Sequence, residues 1–82
     1  MNEDEIKTII YAELKRIAPD TEPQELKPDE IYRDVLDIDS FDALQFIVAM
    51  DEKLGINIPE ADYGKITTLH NLLTYIVSQN KA

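Results

Sequence analysis

The chain is 82 residues long and carries 17 Asp and Glu against 8 Lys and Arg, a formal charge of −9 with its one histidine neutral. A domain this small buries only about 60 to 65 per cent of the surface its unfolded chain exposes, which leaves little room for an enclosed catalytic cavity and argues against a self-contained enzyme. With no cysteine in the sequence, a disulfide scaffold, a thiolate metal site and a cysteine nucleophile are all excluded.

In chain order, Ile6, Ile9, Ile10, Leu14 and Ile17 recur at spacings of three and four, which predicts an amphipathic helix from Glu3 to Ile17 with one buried face. Asn2 and Glu5 occupy the two positions of a capping box at its start, and Pro19 ends it because proline has no amide to continue the ladder. The 22 residues from Ala18 to Asp39 then form a long connection holding Pro19, Pro23 and Pro28. Leu26, Ile31, Tyr32, Val35, Leu36 and Ile38 are frequent enough for it to be an ordered strap across the helix ends, with one helical turn expected at Asp29–Tyr32. A second helix is expected from Ser40 to Leu54, with Phe41, Leu44, Ile47, Val48 and, further on, Asp51 and Leu54 near one side. Phe46, Ala49 and Met50 widen the apolar arc, as suits a central helix with more than one neighbour. Gly55 supplies the left-handed stop, and Ile56 folds back on the last turn. Ile56 to Pro59 reads as an extended link, and Glu60 to Lys65 as a short helix. The last helix spans about Thr68 to Gln79, capped by Thr67 or Thr68, with Leu69, Leu72, Leu73, Ile76 and Val77 as its buried stripe. The sum is an all-α fold: a small four-helix bundle with three longer helices, one short helix and a long first crossover loop, forming a single domain over residues 1–82.

No apolar stretch approaches the roughly 20 residues that cross a bilayer, and the start of the chain is acidic where a signal peptide would be basic, so a soluble, cytoplasmic protein is expected. The negative charge argues against nucleic acid and anionic membrane surfaces as partners and for proteins that expose Arg and Lys, with a monomer as the default. Eight acidic residues, Asp34, Asp37, Asp39, Asp42, Asp51, Glu52, Glu60 and Asp62, lie between positions 34 and 62 against one base, Lys53; Arg33 falls just outside. Acidic residues can simply solvate a surface. Here they crowd a helix start that carries a serine, where mutual repulsion stabilises nothing, and a docking surface for basic partners accounts for that cost.

In Asp39-Ser40-Phe41-Asp42, either Asp39 or Ser40 can be the N-cap. If it is Asp39, Ser40 falls at the first helical position with its hydroxyl free, and Phe41 is expected to point inward and anchor the helix start. Nucleophilic catalysis by Ser40 lacks support: His70 is the only histidine, and no G-x-S-x-G elbow is present. Receiving a phosphate-linked group from another enzyme suits it better, since free amides at a helix start stabilise a phosphodiester. The Asp37–Val48 stretch fails as a calcium loop, with Asp42 in place of the required Gly and Val48 in place of the final Glu, so no metal site is expected. His70 reads as a surface or packing residue.

Three segments in the right order resemble the acyl carrier protein family, the phosphopantetheine-binding carriers: Leu36-Asp37-Ile38-Asp39-Ser40-Phe41, then Met50 to Pro59 with its Gly-Ile-x-Ile-Pro exit, then Lys65-Ile66-Thr67-Thr68-Leu69. The resemblance covers nearly the whole chain. It implies that Ser40 is the attachment serine for 4′-phosphopantetheine, donated by coenzyme A through a phosphopantetheinyl transferase, with Asp39 capping the helix beside it. It implies a non-catalytic, free-standing carrier that holds acyl intermediates as thioesters for enzymes of fatty-acid, polyketide or related biosynthesis. An aminoacyl or peptidyl carrier, and an unmodified acidic interaction module of the same fold, are the alternatives. Partners would be acyl- or aminoacyl-loading enzymes, synthases or transferases with basic docking surfaces, meeting Asp37, Asp39, Phe41, Asp42, Gln45, Asp51 and Glu52. Leu44, Phe46, Ile47, Leu69, Leu72, Leu73 and Ile76 would form the interior, either as ordinary core or as walls that part to shelter an apolar chain. The sequence departs from the family pattern at Asp37, where Gly is usual, at Phe41, where Leu is common, and at Gln45, where many fatty-acid carriers have Glu.

Overall fold

The computed structural model describes residues 2–79. Helix α1 runs Glu3–Ile17, and its start is the expected capping box: the Asn2 side chain accepts the Glu5 N–H at 2.8 Å, and Glu5 Oε1 accepts the Asn2 N–H at 3.3 Å. A 3₁₀ turn at Pro23–Glu25 and a four-residue helix α2, Tyr32–Val35, interrupt the long connection. Helix α3 spans Ser40–Leu54, a 3₁₀ segment covers Glu60–Lys65, and helix α4 spans Leu69–Gln79.

α1 packs against both α3 and α4. The interior is built from Ile6, Ile10 and Leu14 of α1, Phe46 and Met50 of α3, Ile66, and Leu72 and Ile76 of α4, all completely shielded from solvent. Each such side chain contributes about 1.5–3 kcal/mol by leaving water. On α1, the Glu13 carboxylate is also buried, and it accepts charge-assisted contacts from Arg16 at 3.1 Å and from Lys53 near the end of α3 at 3.8 Å. Both cations keep their own heads largely in water, so the pair ties α1 to α3 without an unpaired buried charge.

The connection is ordered, but its helical turn lies three residues later than the sequence suggests. Pro28 accepts the His70 N–H at 2.8 Å, Glu30 N–H closes a turn on Lys27 at 3.1 Å, and Ile31 pairs as an isolated antiparallel bridge with Thr68. These contacts hold 27–31 in turn and extended form, and helix begins only at Tyr32. The Tyr32 ring is buried, stacks edge-on against Phe46 with centroids 5.5 Å apart, and donates its hydroxyl to the Ile66 carbonyl at 2.6 Å. Burial pushes the Tyr32 hydroxyl up to about 12, with the neighbouring Arg33 charge opposing. Leu26, Leu36 and Ile38 are buried as expected, whereas Ile31 and Val35 stay exposed.

Both ends of α3 follow local chemistry. Gly55 takes φ 63°, and the Ile56 N–H reaches the Asp51 carbonyl at 3.2 Å, the long-range bond of a Schellman stop. Thr68 caps α4, its hydroxyl oxygen accepting the Asn71 N–H at 3.1 Å. Along α4, Leu69, Leu72, Leu73 and Ile76 are buried as expected, while Val77 is exposed. Among the described residues no helix is long and apolar enough to cross a membrane.

Candidate functional site

The turn from α2 into α3 places Ser40. The Ile38 N–H returns to the Arg33 carbonyl at 2.9 Å, and the chain reverses through Asp37, whose φ of 54° puts it in the left-handed region. Asp tolerates that region better than most residues, so the turn forms without the glycine usual in the family pattern. Asp39 is the N-cap: its carboxylate accepts the Asp42 N–H at 2.8 Å. That leaves Ser40 at the first helical position with its side chain exposed.

Among the described residues Ser40 Oγ has one protein partner, which no sequence pattern announces. Arg33 Nη2 donates to Oγ at 3.1 Å, while Arg33 Nε lies 3.4 Å from the Ile38 carbonyl. The seven-residue separation falls across a loop, so no helical or strand periodicity pairs the two residues. The available signal was that Arg33 is the only Lys or Arg between Lys27 and Lys53. Beside Ser40 opens a cleft of about 430 Å³, walled by Arg33, Leu44, Ile47, Glu60 and Tyr63 among others.

Phe41 corrects the sequence expectation: it is 67% exposed, not turned inward. The phase of α3 is set by Ala43, Phe46, Ile47, Met50 and Leu54, which are buried. At about 100° per residue, Phe41 lies some 200° from Ala43, on the opposite side. Leu44 and Val48, also expected inside, are 44% and 41% exposed and share that outer stripe with Phe41. Gln45 and Glu52 fall on the same stripe and are exposed. The remaining expected docking residues do not join them. Asp37 and Asp39 belong to the preceding turn, and Asp42 and Asp51 are half-buried on the flanks of α3. Asp51 has a structural role that its charge concealed, accepting the Ile58 N–H at 3.1 Å and thereby holding the extended link that follows the helix.

The far wall of the cleft is tied to α4. The Tyr75 hydroxyl donates to Asp62 Oδ2 at 2.7 Å, and Lys65 pairs with Asp62 at 3.1 Å. Tyr75 first, and Lys65 second, hold the Asp62 carboxyl below its ordinary value, and the same hydrogen bond pushes Tyr75 up to about 12. No cluster of three or more His, Cys, Asp or Glu placed to hold a metal ion occurs among the described residues.

The all-α bundle thus presents an exposed hydroxyl on a capped helix start, beside an open cleft and an exposed apolar stripe. Comparison with known proteins gives its family. Residues 4–76 match the family model described as the phosphopantetheine attachment site. The chain is 31% identical over 78 residues to the acyl carrier protein of Campylobacter hominis, covering 95% of this chain and 92% of that one. It is likewise 31% identical over 81 residues to that of Chloroherpeton thalassium, covering 99% and 100%. It is 36% identical over 55 residues to the meromycolate extension acyl carrier protein of Mycobacterium leprae, covering 67% of this chain and 48% of that one. The chain belongs to the acyl carrier protein family of phosphopantetheine-binding proteins.

Proposed function

We propose that this protein is a carrier in which 4′-phosphopantetheine is esterified to Ser40 and acyl intermediates of fatty-acid, polyketide or related biosynthesis are delivered to successive enzymes. The observation that carries this reading is the position of the Ser40 hydroxyl: exposed, at the first turn of a capped helix and at the edge of an open cleft. Its residues fit the group, since neither the hydroxyl nor its approach is blocked and a guanidinium already touches Oγ. In loading, Oγ forms a bond to the phosphorus that bears the pantetheine of coenzyme A. The bond to the other phosphorus of the pyrophosphate breaks, and adenosine 3′,5′-bisphosphate leaves. The hydroxyl proton goes to a base of the transferase, because Arg33 has no site to accept it. When bound, the arm supplies a terminal thiol that holds the acyl group as a thioester.

The chain's own residues then act as a platform. Asp39 fixes the helix start, the exposed Phe41, Leu44 and Val48 offer apolar contact, and Glu52 and the flanking carboxylates steer basic partner enzymes. The tether raises the effective concentration of cargo at a partner's active site. The names of the relatives favour acyl over aminoacyl cargo.

Intact-protein mass after treatment with coenzyme A and a broad-specificity phosphopantetheinyl transferase tests this. The wild type should gain one phosphopantetheine mapped to Ser40. Ser40→Ala should gain none while keeping its helical circular dichroism, because the side chain is exposed. A wild type left unmodified by a transferase that loads a control carrier would make the protein an acidic interaction module instead.

A further inference from the structure

Ser40 sits in the most acidic stretch of the chain, with Asp34, Asp37, Asp39 and Asp42 within six residues of it. A phosphodiester on Oγ adds another negative charge to that stretch. Arg33 is the one cation in hydrogen-bond contact with the serine, at 3.1 Å from Oγ, and it forms no ion pair among the described residues. A guanidinium has five donors. Among the described residues two of these are engaged, one of them on the Ile38 carbonyl at a long 3.4 Å.

We propose that Arg33 is the positioning residue for the arm, clamping the phosphodiester on Ser40 through a charge-assisted hydrogen bond; this rests on the reading of Ser40 as the attachment point. Esterification replaces the hydroxyl hydrogen with phosphorus and leaves Oγ a poor acceptor. The phosphodiester's charge lies on the two non-bridging oxygens, two P–O bonds from Oγ. A guanidinium already touching Oγ reaches them by small side-chain rotations. The new bond is stronger than the one it replaces, because both partners are now charged. Arg33 also lines the cleft beside Ser40. A phosphate held by it therefore starts the arm along the cleft side of α3.

A merely structural Arg33, covering the 36–39 turn, would not respond to loading. The test uses the wild type, Arg33→Gln and Arg33→Lys, each loaded by coenzyme A and transferase, with mass spectrometry establishing modification at Ser40. The ³¹P resonance of the loaded wild type should lie away from that of the same protein unfolded in urea, and the Arg33 Nε–H resonance should shift between apo and holo forms. In Arg33→Gln the ³¹P line should sharpen and move to the unfolded position. Arg33→Lys should restore part of the displacement, since a lysine supplies the charge without the fork. Two results overturn the clamp alone: loading at Ser40 with an unmoved Arg33 Nε–H, or a ³¹P signal identical in wild type and Arg33→Gln. Absence of mass gain in the wild type removes the attachment reading and the clamp together.

Discussion

Two residues with left-handed backbone bracket α3, Asp37 at φ 54° before it and Gly55 at φ 63° after it. A Cβ at Gly55 would meet nothing within 4 Å, so Gly55→Ala changes only the backbone, and the left-handed penalty of about 1–2 kcal/mol should appear undiluted in urea unfolding. Asp37→Gly should act in the opposite sense and raise the urea midpoint; a lower midpoint would mean that the Asp37 carboxylate has a stabilising role beyond its turn. Asp39→Ala should cost about 1 kcal/mol, the usual loss for an acidic N-cap. The glycine stop was legible in the sequence because only a residue without Cβ suits that position at no cost. The choice between Asp39 and Ser40 as cap was not, since both side chains cap well and the phase of the turn decides. Phe41 was misread for a related reason. Apolar residues fill most positions of α3, so type alone carries little contrast between faces, and packing against α1 selects Ala43, Phe46, Ile47, Met50 and Leu54.

At the scale of elements, the three long helices were legible nearly to the residue because apolar spacing agrees with the caps at both ends of α1 and α3 and at the start of α4. The anchoring of the long connection was not, because Tyr32 to Ile66, Ile31 to Thr68 and His70 to Pro28 are contacts between distant segments. The 3₁₀ segment Glu60–Lys65 is held to α4 by Tyr75 and Asp62, and their opposed pKa shifts define a pH window. Asp62 is depressed, so its contribution is present above the ordinary carboxylate value of about 3.9 and disappears as pH falls through its lower folded value. Tyr75 is raised, so its contribution is present below the ordinary tyrosine value of about 10 and disappears as pH rises through about 12. Tyr75→Phe should therefore be less stable than wild type by a constant amount between roughly pH 5 and pH 9. The gap should narrow at both extremes in urea midpoints taken across pH. A gap unchanged down to pH 2 would show that Tyr75 stabilises through its ring and not through Asp62.

For the whole molecule, a chain with a net charge of −9 folds into a body of only 35 × 26 × 21 Å over its described residues. At about 0.01 M salt the Debye length is about 30 Å, so nearly every carboxylate repels every other; at 0.15 M it is about 8 Å, and only neighbours interact. The attractive pairs of the fold have at least one solvated partner and contribute little singly. Net repulsion should win, and the melting temperature should rise with sodium chloride over that range. Docking should respond in the opposite direction, since salt screens attraction to a basic partner as readily as it screens self-repulsion. With a phosphopantetheinyl transferase as the partner, kcat/KM for loading should fall as salt rises. Glu52→Gln combined with Asp42→Asn should lower it several-fold at low salt and flatten its salt dependence, while raising thermal stability at low salt. Asp51 is unsuited to that experiment because its carboxylate holds the Ile58 amide, so neutralising it changes the fold along with the charge. A double variant that keeps both the wild-type rate and the wild-type salt slope would remove Glu52 and the flanking Asp42 as the steering charges, and a melting temperature that drops on adding salt would show that the ion pairs outweigh the repulsion.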